Sequence, residues 1–361
     1  MSKDAFEHKN TRNSFDLVAR QMKGVLFMSA QKTISYRTAE SVSPGHPDKI
    51  CDQISDAILD AYLTGDEHAR VAVEACGGHG TVFLTGEVTA RKYIDIVPIV
   101  KRLAGDDVEI IEHIVKQSPE IARGVDTGGA GDQGIMVGYA CDETPEMLPL
   151  ETVLARSLNR FLYKKWSYDG KTQVTIRGDE IDSIVASFQH APHDELEDAV
   201  KKWARTQRYV NACFVKGRNS NPRLHINPAG DWQLGGFDAD AGLTGRKLIV
   251  DNYGPRIPIG GGAFSGKDAT KVDRSAAYMA RRIAVDYLRR FQAREVYVYL
   301  AYAIGYDQPL EATAIVDGAE KRVEGYDLSP RGIMDALDLT KPQFEQTAQY
   351  GHFGHGFVWD K

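Results

Sequence analysis

The sequence has few cysteines, no long apolar run and no excess of positive charge. A membrane-spanning helix needs about 20 consecutive apolar residues, and no stretch of the 361 residues approaches that length. The four cysteines have no paired spacing, which predicts reduced thiols rather than a disulfide framework. The formal net charge of −6 argues against a general attraction to nucleic acid. We therefore expect a cytoplasmic protein that binds neither membranes nor nucleic acid.

The most distinctive stretch is a glycine-rich segment at 260–266, which precedes a helix predicted at 272–291. Glycine lets the backbone approach a ligand closely, and the free N–H groups at a helix start favour anions. Lys267, Lys271 and Arg274 place three positive charges close to this helix start. The combination predicts a polyphosphate-binding loop.

A P-loop is one alternative, because Gly261, Gly266 and Lys267 fit the spacing G-x-x-x-x-G-K. The next residue is Asp268, however, where a P-loop has the Ser or Thr that holds magnesium. No strongly apolar strand precedes the loop either. A second alternative is a flexible surface loop in front of an ordinary helix, and the loop taken alone leaves it open.

A pattern of helix, strand, strand and helix occurs three times, at a spacing of roughly a hundred residues. We interpret it as three similar α+β domains, each a sheet with helices on one face. The predicted segments are an extension at 1–32, an N-terminal domain at 33–127, a central domain at 128–232 and a C-terminal domain at 233–361. The predicted elements are helix 48–63, strands 70–76 and 81–89 and helix 93–103; helix 150–165, strands 172–177 and 180–188 and helix 194–207; helix 272–291, strands 295–304 and 311–316 and helix 329–337.

The first of these helices carries four aspartates, each one turn from the next. They are Asp48, Asp52, Asp56 and Asp60. A row of carboxylates at this spacing is typical of a solvated face. Asp48 differs from the others because it lies at the helix start beside His46 and Lys49, where a magnesium–phosphate cluster could form.

Two strands of the first predicted domain each carry one carboxylate, Glu74 and Glu87, among apolar residues. Such a residue often faces solvent, so neither is diagnostic alone. The connector at 117–134 is long, polar and rich in glycine, which is typical of an active-site lid.

A second glycine-rich connector, at 227–247, carries side chains that suit a nucleotide. Trp232 could stack on a base, and Asp240 could bind an ammonium or hydroxyl group. Arg246 and Lys247 could grip phosphate. This connector is therefore a second candidate for the binding site.

Five motifs in a fixed order resemble those of the S-adenosylmethionine synthetase (methionine adenosyltransferase) family. They are GHPDKICDQISDAILD at 45–60, GAGDQGIMVGYA at 129–140, GLTGRKLIVD at 242–251, the segment 260–278 and YGHFG at 350–354. Together they extend from residue 33 to about residue 355. The resemblance implies the family's fold, three similar α/β-sandwich domains in a pseudo-threefold arrangement, which agrees with the repeat.

The resemblance also implies a two-stage reaction at one site. The methionine sulfur attacks C5′ of ATP and expels triphosphate, which is hydrolysed to pyrophosphate and phosphate before release. Because triphosphate is highly charged, catalysis requires cations placed where charge develops. The implied cofactors are two Mg²⁺ per site and K⁺. The implied partners are ATP, L-methionine and further copies of the chain, in a homodimer or homotetramer whose sites are shared between subunits.

Positions that match the family's motifs carry its roles over to this sequence. The implied catalytic residues are His46, Asp132, Arg246 and Lys267. The implied methionine contacts are Glu87, Gln117, Asp240 and Lys271, and Gln117 would open a mobile lid at about 117–127. The implied ATP contacts are His46, Asp231, Trp232, Asp240, Arg246, Lys247, Ala263 and Lys267. The implied metal ligands are Asp48 and Asp273 for Mg²⁺ and Glu74 for K⁺.

The chain departs from the family pattern at two hairpins. The central-domain hairpin ordinarily carries Asp-Gly-Lys, whose lysine reaches phosphate, but the turn here is IRGDE at 176–180. DGK at 169–171 looks similar but is predicted to lie before the strand, so we do not assign the role to Lys171. The turn GGHG at 77–80 replaces a more usual polar turn. The missing lysine and the N-terminal extension leave a second hypothesis open, a non-catalytic regulatory homologue that binds nucleotide.

Overall fold

A computed structural model of the chain describes residues 36–118, 128–178, 180–207 and 222–361. The predicted extension at 1–32, Asp179 and the predicted lid beyond Ser118 lie outside the described residues. The described residues from Arg37 to Lys361 belong to one compact unit. Within the described part of the chain, no helix is long and apolar enough to cross a membrane.

The described residues form twelve strands and seven α-helices, in an α+β arrangement. The strands are β1 Tyr36–Val42, β2 Arg70–Gly78, β3 Thr81–Thr89, β4 Glu109–Val115, β5 Gly134–Cys141, β6 Gly170–Arg177, β7 Glu180–Phe188, β8 Arg223–Ile226, β9 Gly242–Leu243, β10 Glu295–Tyr302, β11 Glu311–Val316 and β12 Ala319–Arg322. The helices are α1 Pro47–Gly65, α2 Val97–Ala104, α3 Leu150–Tyr163, α4 His193–Thr206, α5 Leu248–Asp251, α6 Val272–Phe291 and α7 Pro330–Ala336.

Three four-stranded sheets contain these strands, in the orders β1-β6-β7-β8, β12-β11-β10-β5 and β4-β3-β2-β9. Each sheet takes three strands from one predicted domain and one strand from a neighbouring predicted domain. The N-terminal segment lends β1 to the central sheet, the central segment lends β5 to the C-terminal sheet, and the C-terminal segment lends β9 to the N-terminal sheet. The exchange is cyclic, so no sheet is complete without a second segment of the chain.

The predicted three-domain α+β architecture is confirmed, and the predicted helices and hairpins occur within a few residues of their expected bounds. The prediction omitted strands β4, β5, β8, β9 and β12. These strands are short or lie in segments rich in glycine or charge, and β9 has only two residues. β8 and β12 have four residues each, so for the three shortest strands the pairing with a neighbouring strand matters more than their own composition.

One edge of β2 is covered by two separate segments of the C-terminal part of the chain. Cys76 and Gly77 pair with β9, and four residues back along the strand Ala72 forms an antiparallel bridge with Lys267. The backbone N–H of Val73 donates to the carbonyl of Gly266 (3.1 Å). The second connector, at 227–247, and the glycine-rich segment at 260–266 are therefore attached to the same strand.

The aspartate row of α1 is not a solvated face, which corrects the sequence-based interpretation. Asp48, Asp52 and Asp56 are completely buried, and Asp60 is half-buried. Each accepts hydrogen bonds from backbone N–H groups of the C-terminal part of the chain. The donors are Leu243 to Asp48 (2.9 Å), Gly245 to Asp52 (2.8 Å), Gly266 to Asp56 (2.8 Å), and Phe344 and Glu345 to Asp60 (both 2.9 Å). The regular spacing thus serves to attach those segments to α1.

Arg274 forms a buried bidentate ion pair with Asp56, at 2.6 and 2.9 Å. Its side chain is fully buried and also lies over the ring of Phe344. The expectation that Arg274 adds to the phosphate-binding charge of the loop is therefore wrong. Its guanidinium is used inside the fold, where it joins α1 to α6.

We expect Arg274→Met to lower the free energy of unfolding by about 3–5 kcal/mol, because it leaves the Asp56 carboxylate buried without its partner. Arg331→Met is the matched control, since Arg331 is largely exposed and its carboxylate partner lies at 3.9 Å; we expect a change below about 1 kcal/mol. Urea unfolding followed by tryptophan fluorescence compares the two variants. Equal midpoints for both would contradict a structural role for the Arg274–Asp56 pair.

Candidate active site

The start of α1 is built around His46. Pro47 occupies the first turn, and the ring nitrogen Nδ1 of His46 accepts a hydrogen bond from the backbone N–H of Asp48 (3.1 Å). This N-terminal cap satisfies one of the unpaired N–H groups of the helix. Because Nδ1 accepts, the proton of the neutral ring must lie on Nε2. His46 therefore offers one N–H donor at a helix start.

The environment of His46 keeps the ring neutral. Burial lowers its pKa most strongly, and the positive charges of Lys247 and Lys171 lower it further, to about 3, against the opposing effect of Asp48 and Asp240. The protonated ring is unfavourable here, because burial removes its hydration and two lysines lie nearby. The neutral ring donates from Nε2 without adding charge to the site.

Asp48 is fully buried and holds two cations of the second connector. Arg246 Nε lies 3.0 Å from one carboxylate oxygen, and Lys247 Nζ donates a short hydrogen bond to the other. Burial alone would raise the pKa of Asp48, but the hydrogen bonds from Lys247 and from the backbone of Leu243 lower it overall. The predicted grouping of His46, Asp48, Arg246 and Lys247 is thus present in one chain.

Lys49 does not belong to this cluster, although it is next to Asp48 in sequence. Its ammonium group is fully buried and lies 2.6 Å from Asp251 and 3.0 Å from Asp52. Burial raises the pKa of Asp52 to about 7, because the nearby carboxylate of Asp251 adds to this effect while Lys49 opposes it. Lys49 therefore attaches α1 to α5, the short helix that directly follows Arg246 and Lys247.

Lys171, to which the sequence-based prediction assigned no role, lies close to His46. Strand β6 begins at Gly170, two residues earlier than predicted, so Lys171 lies in the strand and not before it. Lys171 is close enough to His46 to lower its pKa. The neighbouring Asp169 accepts a hydrogen bond from the backbone N–H of Gly236 (3.3 Å). The turn that follows Arg177 lies at the other end of β6, so the DGK segment lies nearer to His46, against the backbone of Gly45.

Residues 231–240 lie beside this cluster in an exposed loop. Asp240 is exposed, and its carboxylate accepts from the backbone N–H of Ala241 (2.8 Å). It is close enough to His46 to raise that pKa. Trp232 is half-buried against Gly235. Asp231 has a different role, because it accepts from the first N–H of α4, at His193 (3.0 Å), and from Asn227 Nδ2 (2.9 Å).

The glycine-rich loop brings together Lys267 and Asp273, two of the predicted site residues. Lys267 Nζ lies 2.7 Å from one oxygen of Asp273, and the backbone N–H of Gly262 donates to the other (3.0 Å). Phe264 is buried against the rings of Tyr278 and His352, which fixes the middle of the loop. Asp273 also borders a cleft of about 810 Å³ that is lined by loop residues 260–262.

Asp268, the residue that argued against a P-loop, has a structural role. Its carboxylate accepts from the backbone of Val71 (2.7 Å) and of Thr270 (2.9 Å), and it forms an ion pair with Lys271. Helix α6 begins only at Val272, so the glycines do not open directly onto it. A P-loop does not have this arrangement, because its lysine is followed by the hydroxyl that binds magnesium.

Glu87 and Lys267 share one row across the N-terminal sheet. Ala72 of β2 pairs with Glu87 of β3 on one side and with Lys267 on the other. Paired residues present their side chains on the same face, and the small side chain of Ala72 leaves space between Glu87 and Lys267. Glu74 is exposed on the same strand, two residues along. This face therefore carries two of the predicted carboxylates and one predicted cation.

The two clusters lie along one edge of β2. Leu243 pairs at Cys76 and Lys267 at Ala72, and four strand residues correspond to about 13 Å. The loops between them touch, since a Cβ atom added to Gly245 would lie 2.4 Å from the Cβ of Ala263.

Two further predicted residues lie at the edges of the described segments. Asp132 is exposed and accepts from the backbone of its neighbour Gln133 (2.8 Å), which lines the cleft beside Asp273. Gln117 is buried at the end of the segment that precedes the undescribed residues.

The carboxylates of Asp48 and Asp273 suit magnesium ions that are bound partly by phosphate. They do not suit a metal site formed by protein ligands alone. Among the described residues, no group of three or more His, Cys, Asp or Glu side chains could hold a metal. Asp48 and Asp273 are each paired with lysine or arginine. Mg²⁺ in phosphate-transfer sites is commonly bound by one or two carboxylates and the substrate phosphates, which agrees with this donor set.

We expect the His46 ring to stay neutral between pH 5 and 8, because its pKa lies at about 3. An unfolded histidine binds its proton near pH 6.5, so the unfolded chain binds more protons and stability falls as the pH drops from about 6.5 towards 3. Ring-nitrogen NMR without nucleotide measures this, with the signal assigned by its loss in His46→Asn. A titration midpoint near 6.5 would contradict the arrangement described here.

Comparison with protein-family models covers almost all of the described chain. Residues 35–119 match the N-terminal domain of S-adenosylmethionine synthetase, residues 127–232 match its central domain, and residues 234–361 match its C-terminal domain. The three domains follow one another in the expected order. The family is a transferase family of S-adenosylmethionine biosynthesis, and it is known to use a divalent metal and K⁺. The chain therefore belongs to the S-adenosylmethionine synthetase family.

Proposed function

We propose that this chain is a catalytically active methionine adenosyltransferase, which converts ATP, L-methionine and water into S-adenosylmethionine, phosphate and diphosphate. One observation carries the proposal: a neutral histidine donor lies in a cluster with Lys171, Lys247 and the buried carboxylate of Asp48. A departing triphosphate needs positive charge and hydrogen-bond donors at the bond that breaks. The family of the chain supports the same reaction.

The first step needs no protein nucleophile. The sulfur of methionine forms a bond to C5′ of ATP while the bond from C5′ to the triphosphate oxygen breaks, and both electrons leave with the oxygen. His46 Nε2–H donates a hydrogen bond to this oxygen as its negative charge develops. Lys171, Arg246 and Lys247 bind the phosphates, and Trp232 stacks on the adenine.

The second cluster is assigned to the far end of the triphosphate and to methionine. Lys267 binds the terminal phosphate and Asp132 lies at the edge of the same cleft, while Ala263 contacts ATP. Glu87, Gln117, Asp240 and Lys271 position the methionine, so that its sulfur is aligned with C5′. Such alignment is worth several kcal/mol when both reactants are held together.

We assign two Mg²⁺ to Asp48 and Asp273, and K⁺ to Glu74. When bound, magnesium neutralises phosphate charge. In the present structure Arg246 and Lys247 are paired with Asp48, and Lys267 is paired with Asp273. These cations are thereby held near the position where the phosphates are to bind, and each can exchange its carboxylate for a phosphate.

We also propose that the active form is a homodimer or homotetramer with shared sites. The support is the outer face of the N-terminal sheet, where Phe83, Ile111 and Val115 are 39%, 45% and 49% exposed. Paired strand positions place Phe83 beside Ile111, and Val115 beside Glu87. A flat sheet face that exposes large apolar side chains suits association with a second copy. Glu87 and Lys267 would then lie beside that interface.

The proposal predicts stoichiometric formation of S-adenosylmethionine, pyrophosphate and phosphate from ATP and methionine with Mg²⁺ and K⁺. Separate measurement of the three products tests both stages. S-adenosylmethionine with trapped triphosphate would contradict the second stage, the hydrolysis of triphosphate. Nucleotide binding without any product would contradict catalysis and favour the regulatory hypothesis.

We expect Asp48→Asn to raise the Mg²⁺ concentration that gives half-maximal activity by roughly 10- to 100-fold or more. Loss of a residue that only supports a metal ligand already lowers metal affinity by this factor. The change removes the negative charge at the start of α1 and keeps the shape of the side chain. Asp335→Asn removes a largely exposed carboxylate of α7 and serves as the control. An unaltered magnesium titration for Asp48→Asn would assign that ligand to another residue.

A further inference from the structure

The hairpin turn between β2 and β3 packs directly on the loop that carries Asp240. Phe237 lies in the 3₁₀ turn Gly236–Asp238, and its ring rests on Gly77, the last but one residue of β2. The backbone N–H of His79 donates to the carbonyl of Phe237 (2.5 Å). This turn is the GGHG sequence in which the chain departs from the family pattern. The contact joins residues about 160 positions apart in the sequence.

The contact leaves no space for a larger residue at Gly77 or Gly78. A Cβ atom added to Gly77 would lie 2.5 Å from Cζ and 2.7 Å from Cε2 of Phe237. One added to Gly78 would lie 2.9 Å from Cα of Ala241 and 3.2 Å from the carbonyl oxygen of Asp240. Distances below 3 Å require the opposing group to move. The Phe237 ring is only 7% exposed, so it has no free space to enter.

Phe237 is the buried side chain of an otherwise exposed stretch. Asp238, Ala239, Asp240 and Ala241 are all exposed. The backbone N–H of Asp240 donates to the carbonyl of Gly236 (3.1 Å), and its carboxylate accepts from the next residue of the chain. The position of this carboxylate therefore follows the backbone of the 3₁₀ turn.

The segment that carries Asp240 also contacts residues next to Lys171 and His46. Gly236 donates to Asp169, beside Lys171. Gly242 packs on the carbonyl of Pro47, where an added Cβ would lie only 2.2 Å away. A shift of the Phe237 ring would thus change the position of Asp240 relative to His46 and Lys171.

We propose that Phe237, seated on Gly77, is a positioning residue that sets the place of Asp240 in the substrate site. The inference rests on the proposed function and extends it to a residue pair outside the predicted site. Asp240 is assigned to the methionine ammonium group and the ribose. A misplaced carboxylate would therefore weaken binding of both substrates more than it would slow the chemical step.

A double-mutant cycle tests this with four proteins: the wild type, Gly77→Ala, Phe237→Leu and the combination of both. We expect Gly77→Ala to raise the KM for methionine about tenfold, with kcat changed less than about threefold. The smaller leucine leaves space for the new methyl group, so the combined variant should have a lower KM than Gly77→Ala alone. Gly80→Asn is the control in the same turn, since no atom lies within 4 Å of a Cβ at Gly80; it should keep the wild-type KM.

The outcomes separate this inference from the proposed function. An active wild type in which Gly77→Ala has the normal KM, or in which leucine gives no rescue, would overturn the positioning role. If Gly77→Ala fails to give a cooperative thermal transition, Phe237→Ala replaces it, and an unchanged KM there would overturn the role equally. A wild type without adenosyl transfer would refute the proposed function instead. In that case the ATP affinity of the same four proteins would be measured by calorimetry. Non-additive effects of the two substitutions would support the coupling of Gly77 and Phe237, and additive effects would contradict it.

Discussion

The rest of the structure depends on one constraint: backbone N–H groups that are buried on folding need hydrogen-bond acceptors. Four aspartates on one face of α1 supply those acceptors to the segments at 243–245, 266 and 343–345. A buried N–H group without a partner costs several kcal/mol, so these segments have few other places to lie. Since Leu243 and Gly266 sit on the same edge of β2, α1 and β2 together determine where both candidate phosphate-binding segments are held.

The electrostatics of the site follow from this attachment. Four cations of the site already have a carboxylate partner: Lys247 and Arg246 have Asp48, Lys267 has Asp273 and Lys271 has Asp268. The pairs hold long side chains in place before any substrate binds, which reduces the reorganisation that a polyphosphate would require. His46 adds a donor without adding charge, because burial and two lysines keep the ring neutral.

Much of the fold was predictable from the sequence, because long periodic segments determine their own structure. Helix α6 begins and ends at the predicted residues, and both hairpins of the first two domains were placed correctly. Strand β9 was missed because it has only two residues, and β5 because it directly follows a glycine-rich segment and pairs with a strand of another predicted domain. The aspartate row was misinterpreted for a related reason. A polar helix face has the same sequence whether water or a backbone N–H group covers it.

The candidate site shows the same division between local and distant information. The motif positions assigned His46, Asp48, Arg246 and Lys247 to one site, and the structure places these residues together because their motifs are attached to α1 and β2. Lys171 was set aside through an error of two residues in the start of β6.

The GGHG turn looked like an isolated departure from the family pattern. In the folded chain the ring of Phe237 occupies the space that a side chain at Gly77 would take. A departure in one segment can therefore be matched in another segment that touches it. Substitutions of two residues that touch each other should be judged together. One of the substitutions alone disrupts the contact, whereas the two substitutions together preserve it.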